Sequence, residues 1–162
     1  MILQQTNKIL SHGLTIAIGA DHRGVKLKSF LIQLLSSSTQ SKKNITLIDV
    51  GCSNPEYCDY PKYAIAVVQE IISQRADCGI LICGTGAGVA ITANRFDKIY
   101  AALAFNVETA RLAREHDNAN ILVLPADYVT LDQAFEMTSA WLDAKFISGK
   151  YQNRLTMIDN IK

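Results

Sequence analysis

The sequence lacks a charge excess of either sign. Its 162 residues carry 16 basic and 15 acidic side chains, which gives a net charge of +1. This balance argues against a groove for nucleic acid and against a polybasic membrane-binding patch. No apolar run reaches membrane-spanning length, and the first ten residues show no basic start followed by an adequate apolar stretch. We therefore expect a cytoplasmic protein whose partner is a small molecule.

The sequence also lacks the cysteine and histidine spacing of a metal site. Its four cysteines include no C-x-x-C pair, and its three histidines are far apart in the chain, at positions 12, 22 and 116. A zinc site is therefore not expected. Nothing indicates an oxidising compartment, so Cys52, Cys58, Cys78 and Cys83 are expected to be reduced thiols.

Five short apolar runs, rich in β-branched residues, alternate with helical patterns. They occupy residues 14–20, 45–50, 79–83, 100–105 and 120–124. The alternation predicts an α/β fold in which a Rossmann-like, doubly wound parallel sheet of five strands lies between two helical layers. Residues 14–162 are expected to form this single domain, residues 1–13 a flexible N-terminal extension, and residues 36–44 a polar connector.

Apolar spacing predicts the helices between these strands. Residues 27–35 and 64–72 each have an apolar stripe at helical period. Asn106 can cap the helix after the fourth strand, and Thr130 with Gln133 fits a capping box for the next helix. That helix is expected to end at residues 148–149. Shorter helices are expected over residues 89–96 and 150–158.

One strand runs directly into a thiol and three alternate glycines. Cys83 ends the third strand, and Gly84, Gly86 and Gly88 follow. Glycines allow a sharp turn that presents consecutive backbone N–H groups to an anion, and a thiol at a helix N-terminus is favoured as thiolate. A structural turn with a buried, inert cysteine explains the same residues, and the segment alone does not separate the two interpretations.

The glycine spacing does not fit the common nucleotide-binding fingerprints. The pattern is G-x-G-x-G, with Val89 where the third glycine of the dinucleotide motif belongs. Glu108, about twenty residues further on, falls at a helix start and not at a strand end. A P-loop is also excluded, because no G-K-[ST] follows the glycines.

Polar residues gather where the predicted strands end. Asp21, His22 and Arg23 follow the first strand, residues 59–61 follow the second, and Cys83 ends the third. Ligands of doubly wound sheets bind at this edge. Each residue also has an ordinary structural role: Asp21 can cap a helix, His22 and Arg23 can be solvated turn residues, and residues 115–120 can be a polar loop.

Six ordered motifs together resemble the type B ribose-5-phosphate isomerases, a family that includes the galactose-6-phosphate isomerase subunits. The motifs cover nearly the whole chain after residue 13. They lie at residues 19–24, 49–51, 59–64, 78–94, 113–120 and 153–154. The resemblance implies an aldose–ketose isomerase of phosphorylated sugars that uses no metal or other cofactor and proceeds through an enediolate. It also implies a homodimer, or a dimer of dimers, whose active site is shared between subunits.

The resemblance further implies roles for individual residues. Cys83 would be the base, Thr85 would move protons between the sugar oxygens, and His116 would open the furanose ring. Asp21 and His22 would hold the sugar. The remaining substrate-binding positions would be Tyr60, Gly84, Gly86, Ala87, Gly88, Asp117, Lys150 and Arg154.

Three departures from the family pattern concern the phosphate end of the substrate. Asp117 replaces an asparagine, Asp127 lies in a loop that often carries an arginine, and Lys150 replaces one arginine of a pair. Lysine lacks the planar, two-pronged donor of arginine. Lys150, Arg154 and Arg23 remain as cations. The alternatives are another substrate, such as galactose 6-phosphate or allose 6-phosphate, or a noncatalytic phosphosugar-binding subunit.

Overall fold

Five parallel strands form the centre of the structure, a computed structural model that describes residues 13–37, 44–54 and 56–161. They lie in the order β2-β1-β3-β5-β4 and confirm the predicted α/β sheet. Most of the predicted N-terminal extension and of the polar connector lies outside the described residues. The strands are β1 (Leu14–Ala20), β2 (Ile45–Asp49), β3 (Cys78–Cys83), β4 (Ala101–Leu103) and β5 (Ile121–Pro125).

Six helices in the described ranges connect and cover these strands, and all are too short or too polar to span a bilayer. Asn106 accepts the Thr109 N–H, and Thr130 accepts the Gln133 N–H, so both predicted caps are confirmed and form complete capping boxes. The helices are α1 (Val25–Ser37), α2 (Tyr60–Ile72), α3 (Ala87–Ala93), α4 (Val107–Asp117), α5 (Leu131–Asp143) and α6 (Lys150–Asp159).

Two helices end earlier than the sequence predicts. α3 stops at Ala93 because the side chain of Asn94 bonds both the N–H and the C=O of Ala101, at 2.8 Å each, and so turns the chain towards β4. α5 stops at Asp143 and not at residues 148–149. The following segment is extended and donates the Ile147 N–H to the C=O of Glu115 on α4, at 2.8 Å.

Each face of the sheet buries its own apolar core. One core contains Ile18, Leu31, Leu122 and Trp141, and it packs α1, α4 and α5 on the first face. The other contains Val67, Leu81, Val89 and Cys83, and it packs α2 and α3 on the second face. Because side chains alternate along a strand, Cys83 points to the face opposite its neighbour Ile82.

The connections leave a crevice where β3 ends. The chain leaves β3 towards the second face, whereas it leaves the neighbouring strands β1 and β5 towards the first face. Strand ends that diverge in this way open the binding crevice of doubly wound sheets. Cys83 therefore lies at the position where the topology places a ligand.

Candidate active site

Cys83 ends β3 with its sulfur held by the glycine-rich loop. The residue is 4% exposed, and the N–H of Gly86 donates to its Sγ at 3.2 Å. Its C=O accepts the Ala126 N–H at 2.9 Å, which joins the loop after β3 to the loop after β5. The thiol is thus fixed at the start of α3, below a loop whose exposed residues are Thr85 and Ala87.

Each glycine of this loop lies where a side chain would collide with a neighbour. Gly86 has φ of +78°, and a Cβ there would lie 2.4 Å from Leu103 Cδ1. A Cβ at Gly88 would lie 2.6 Å from the ring of Tyr60, and one at Gly84 would lie 2.7 Å from the guanidinium of Arg23. Gly86 is therefore restricted both by its backbone and by Leu103, and the side chains of Tyr60 and Arg23 lie directly against the other two glycines.

Asp21 caps the turn that leads into α1, and not the helix itself as one interpretation of the sequence had it. Its Oδ1 accepts the N–H of Arg23 at 3.0 Å and of Gly24 at 3.2 Å, and the residue is only 5% exposed. Its own N–H donates to the C=O of Ile82 at 3.2 Å, which places it beside the end of β3. A carboxylate that caps a turn keeps a second oxygen, so the predicted sugar contact stays a prediction.

His22 lies under the loop that follows β2. Its Nδ1 is 3.4 Å from the backbone nitrogen and 3.3 Å from the carbonyl oxygen of Cys58, and its ring lies 5.2 Å from that of Tyr57. Residues of this loop line a cavity of about 570 Å³ next to His22. The contacts with Tyr57 and Cys58 could not be predicted from the sequence, because they depend on tertiary structure.

Arg23 is paired, and it is not the uncommitted cation that the sequence suggested. Its guanidinium forms an ion pair with Asp127, whose own N–H donates to the C=O of Gly84 at 3.0 Å. Asp127 thus lies where the family pattern often has an arginine, and it offsets the charge of the cation that lies against the glycine loop. The effect of Asp127 on the charge of the site therefore depends on its pairing with Arg23.

A second cluster of predicted site residues forms around Tyr151. The ring of His116 stacks on that of Tyr151, with centroids 4.1 Å apart and planes 9° apart. Lys150 Nζ lies 5.1 Å and Arg154 Cζ 5.5 Å from the centroid of the same ring. Tyr151 was not predicted. Its position between two cations one helical turn apart is the signal that could have found it.

Within one chain, the residues around Cys83 and the residues around Tyr151 lie at opposite ends of the strands. Just after α4, the C=O of Asn120 accepts the N–H of Gly79 at 2.9 Å, so this part of the chain lies where β3 begins. Cys83 lies four residues further along that strand, roughly 13 Å away at 3.3 Å per residue. His116 and Cys83 therefore do not meet within a single chain.

The end of α6 is held near the beginning of the strands, the same side of the sheet as His116. Asp159 forms an ion pair with Lys98 and accepts the hydroxyl of Tyr100 at 2.5 Å, both just before β4. These partners hold the pKa of Asp159 below its usual range. Burial, with the hydrogen bond to Asp159, raises the pKa of Tyr100 to about 12. Lys150 and Arg154 are thereby held on a helix that is anchored at both ends.

Within residues 13–37, 44–54 and 56–161, no three His, Cys, Asp or Glu side chains are grouped closely enough to hold a metal ion.

Comparisons with known proteins agree on one family. The model of the family described as Ribose/Galactose Isomerase matches residues 16–158. A putative sugar phosphate isomerase of Rickettsia bellii is 43% identical over 144 residues, which cover 89% of this chain and 96% of the relative.

Solved structures give the same result. A ribose 5-phosphate isomerase from Thermotoga maritima superposes with a TM-score of 0.86 at 42% identity, over 93% of this chain and 100% of the other. Ribose-5-phosphate isomerase B from Mycoplasma genitalium, solved with bound ribulose-5-phosphate, has a TM-score of 0.83 at 35% identity, over 90% of this chain and 94% of the other.

Proposed function

The chain belongs to the ribose/galactose isomerase family and is an aldose–ketose isomerase of a phosphosugar, and from that premise we propose that it interconverts ribose 5-phosphate and ribulose 5-phosphate. The observation that carries the proposal is the position of Cys83, fixed at the end of β3 beneath a glycine loop. The solved relative with bound ribulose-5-phosphate supports the choice of sugar. We also propose that the reaction serves the pentose phosphate pathway in the cytoplasm.

Cys83 is the proposed base. Its thiolate takes the proton from C2 of the open-chain aldose and returns it to C1, while the hydroxyl of Thr85 moves a proton between the two sugar oxygens. A positioned base contributes about 10²–10⁴-fold in rate. Negative charge develops on oxygen in the enediolate, and each backbone N–H of the loop that donates to this oxygen is worth roughly 3 kcal/mol there. The Gly86 N–H is not counted, because it donates to Cys83 Sγ.

The proposed ring-opening acid, His116, must come from a second copy of the chain. Within one chain His116 and Cys83 lie at opposite ends of the strands. A two-fold dimer that sets the Tyr151 cluster of one subunit against the glycine loop of its partner would bring the acid and the base together. The separation within one chain supports the homodimer, or a dimer of dimers, with shared sites.

The same arrangement would supply the phosphate site. Lys150 and Arg154 flank Tyr151 on the exposed side of α6, and both would reach the substrate together with His116 and Asp117. Arg23, at the glycine loop, adds little charge because Asp127 is paired with it. We propose that Asp21, His22 and Tyr60 hold the sugar hydroxyls at the carboxyl edge.

Another phosphosugar is the second candidate substrate. The Arg23–Asp127 pair favours it, because Asp127 lies in a loop that often carries an arginine and offsets the charge of Arg23. A noncatalytic phosphosugar-binding subunit is less well supported, since binding alone does not require Cys83, Thr85 and His116 together.

The test is a comparison of kcat/KM for ribose 5-phosphate, allose 6-phosphate, galactose 6-phosphate and unphosphorylated ribose. We expect ribose 5-phosphate to be preferred and ribose to be a poor substrate, because the cations of α6 would have no phosphate to bind. A higher kcat/KM for a six-carbon phosphosugar would select the second candidate. Equal rates for ribose and ribose 5-phosphate would contradict the phosphate site, and binding without any turnover would select the noncatalytic subunit.

A further inference from the structure

Two cysteines that the proposed mechanism does not use are held against the same short segment of chain. The N–H of Cys52 donates to the C=O of Ala20 at 2.9 Å, and the backbone of Cys58 contacts Nδ1 of His22 at 3.3–3.4 Å. Ala20 and His22 are two residues apart, so both cysteines are held at the end of β1. Both cysteines also line the cavity of about 570 Å³.

The surroundings of the two thiols differ in a way that suits a reactive pair. A hydrogen bond from Cys58 lowers the pKa of Cys52 against the effect of burial, and Tyr63 and the charge of Lys28 add to the lowering. The Cys52 thiol also donates to the C=O of Asn54 at 3.0 Å, which holds the sulfur in place. Burial raises the pKa of Cys58, and its neighbour Cys52 adds to that effect. The more acidic thiol of such a pair reacts first with an oxidant, and the second thiol resolves the product.

We propose that Cys52 and Cys58 form a reversible disulfide on exposure to hydrogen peroxide. The Cys52 thiolate attacks one oxygen of the peroxide, the O–O bond breaks, and the released hydroxide takes up a proton to become water. This step leaves a sulfenic acid on Cys52. The Cys58 sulfur then attacks the Cys52 sulfur, and the hydroxyl leaves as water with the Cys58 thiol proton. Overall, two thiols lose two electrons, and one peroxide becomes two waters.

The disulfide would act on the candidate active site through His22. Closing the link moves the Cys58 backbone, which contacts Nδ1 of His22, and with it Tyr57, whose ring packs on the same imidazole. This consequence rests on the proposed role of His22 in holding the sugar, whereas formation of the disulfide does not. Oxidation is therefore expected to lower isomerase activity, and reduction is expected to restore it.

Peptide mapping tests the disulfide independently of activity. Trypsin cuts after Lys43 and Lys62, so residues 44–62 form one peptide whose only cysteines are Cys52 and Cys58. Residues 76–95 form a second peptide with Cys78 and Cys83, which serves as an internal control. The native protein is treated with hydrogen peroxide, denatured, alkylated with N-ethylmaleimide and digested.

We expect the 44–62 peptide to lose about 2 Da, to take up no maleimide, and to recover two maleimides after dithiothreitol. Two free thiols in this peptide when the 76–95 peptide is already oxidised would overturn the proposal. So would sulfinic acid on Cys52 without a link to Cys58, or a link from either cysteine to the 76–95 peptide.

Cys58→Ser and Cys52→Ser separate the disulfide from oxidation of Cys83. Activity is read at peroxide doses that leave both thiols of the 76–95 peptide alkylatable. We expect wild-type activity to fall reversibly and both serine variants to keep theirs. A disulfide that forms without loss of activity would overturn the coupling to His22. If the protein had no isomerase activity at all, the proposed function would fail while the peptide result would still stand.

Discussion

The charge next to the glycine loop is set by the Arg23–Asp127 pair. Arg23 lies against Gly84, and Asp127 is bound to Arg23 through its side chain and to Gly84 through its backbone. This pair is partly exposed, so its own contribution to stability is small. Its importance is electrostatic, because it decides whether a dianionic substrate meets a free cation at the carboxyl edge.

Asp127→Asn is therefore expected to lower KM for ribose 5-phosphate. Freeing one positive charge about 10 Å from a dianion in a largely aqueous setting is worth roughly 1 kcal/mol, or about fivefold. Steady-state kinetics at low ionic strength measures the change. Glu136→Gln, an equal change of charge in the exposed middle of α5, is the control and should leave KM unchanged. An equal fall in both variants would contradict a specific role for Arg23.

At the scale of single residues, the sequence predicted candidate site residues but not how their side chains are paired. The spacing of Gly84, Gly86 and Gly88 predicted a loop without side chains. In the structure, the side chains of Arg23, Leu103 and Tyr60 lie against these three glycines, in that order. The Arg23–Asp127 pair spans 104 positions and could not be predicted, because no local pattern records which distant side chains meet. The stacking of Tyr151 on His116 also joins distant positions, although the two flanking cations, Lys150 and Arg154, are a local signal for Tyr151.

Among the elements, the turn from β3 into α3 is the one that the proposed chemistry depends on most. Gly86 begins α3 in the left-handed region, at φ of +78°, while its N–H donates to Cys83 Sγ. Gly149 begins α6 at φ of +75°, yet a Cβ there would meet no atom within 4 Å. The two glycines form a matched pair, since one is confined by both its backbone and its neighbours and the other by its backbone alone.

Gly149→Ala is expected to lower the free energy of unfolding by about 1–3 kcal/mol, because a φ of +75° with a ψ of −124° is a region that residues other than glycine rarely adopt. Gly86→Ala costs about 1 kcal/mol for a left-handed alanine, and it must also displace Leu103, which adds roughly 2 kcal/mol and moves the loop away from Cys83. Urea denaturation measures both values, and an isomerase assay should show activity lost only in Gly86→Ala. Wild-type activity in Gly86→Ala would show that Leu103 does not confine the loop.

Local sequence patterns predicted which segments form helices and strands, but they did not predict where two of the helices end. The capping boxes at Asn106 and Thr130 were predictable because donor and acceptor lie three residues apart. α3 and α5 end where Asn94 bonds Ala101 and where Ile147 bonds Glu115, and these partners are set by tertiary structure. Local propensity continues a helix until such a competing contact ends it.

For the whole molecule, alternation of strand and helix patterns was enough to predict the doubly wound sheet, since few topologies satisfy it. The alternation did not show that His116 and Cys83 lie at opposite ends of the strands. That follows from the direction of α4, which begins near the end of β4 and runs back to the start of β5. A site that contains both residues requires two chains.

Hybrid dimers test this requirement. Cys83→Ala and His116→Ala chains, each with a different affinity tag, are expected to be inactive alone. In a hybrid of the two, one site receives an intact Cys83 from one chain and an intact His116 from the other, so about half the wild-type activity should return. Tandem purification of coexpressed chains isolates the hybrid. A hybrid as inactive as its parents would contradict the shared site.

The central claim, that this chain removes and returns a carbon-bound proton through Cys83, is tested most directly by NMR in heavy water. With ribose 5-phosphate, the wild-type protein should introduce deuterium at the carbon next to the carbonyl, since the base exchanges its proton with solvent. Cys83→Ala should slow that exchange by at least about 10²-fold, while Cys78→Ala, on the same buried strand, should retain it. Deuterium entry at the wild-type rate in Cys83→Ala would contradict the account.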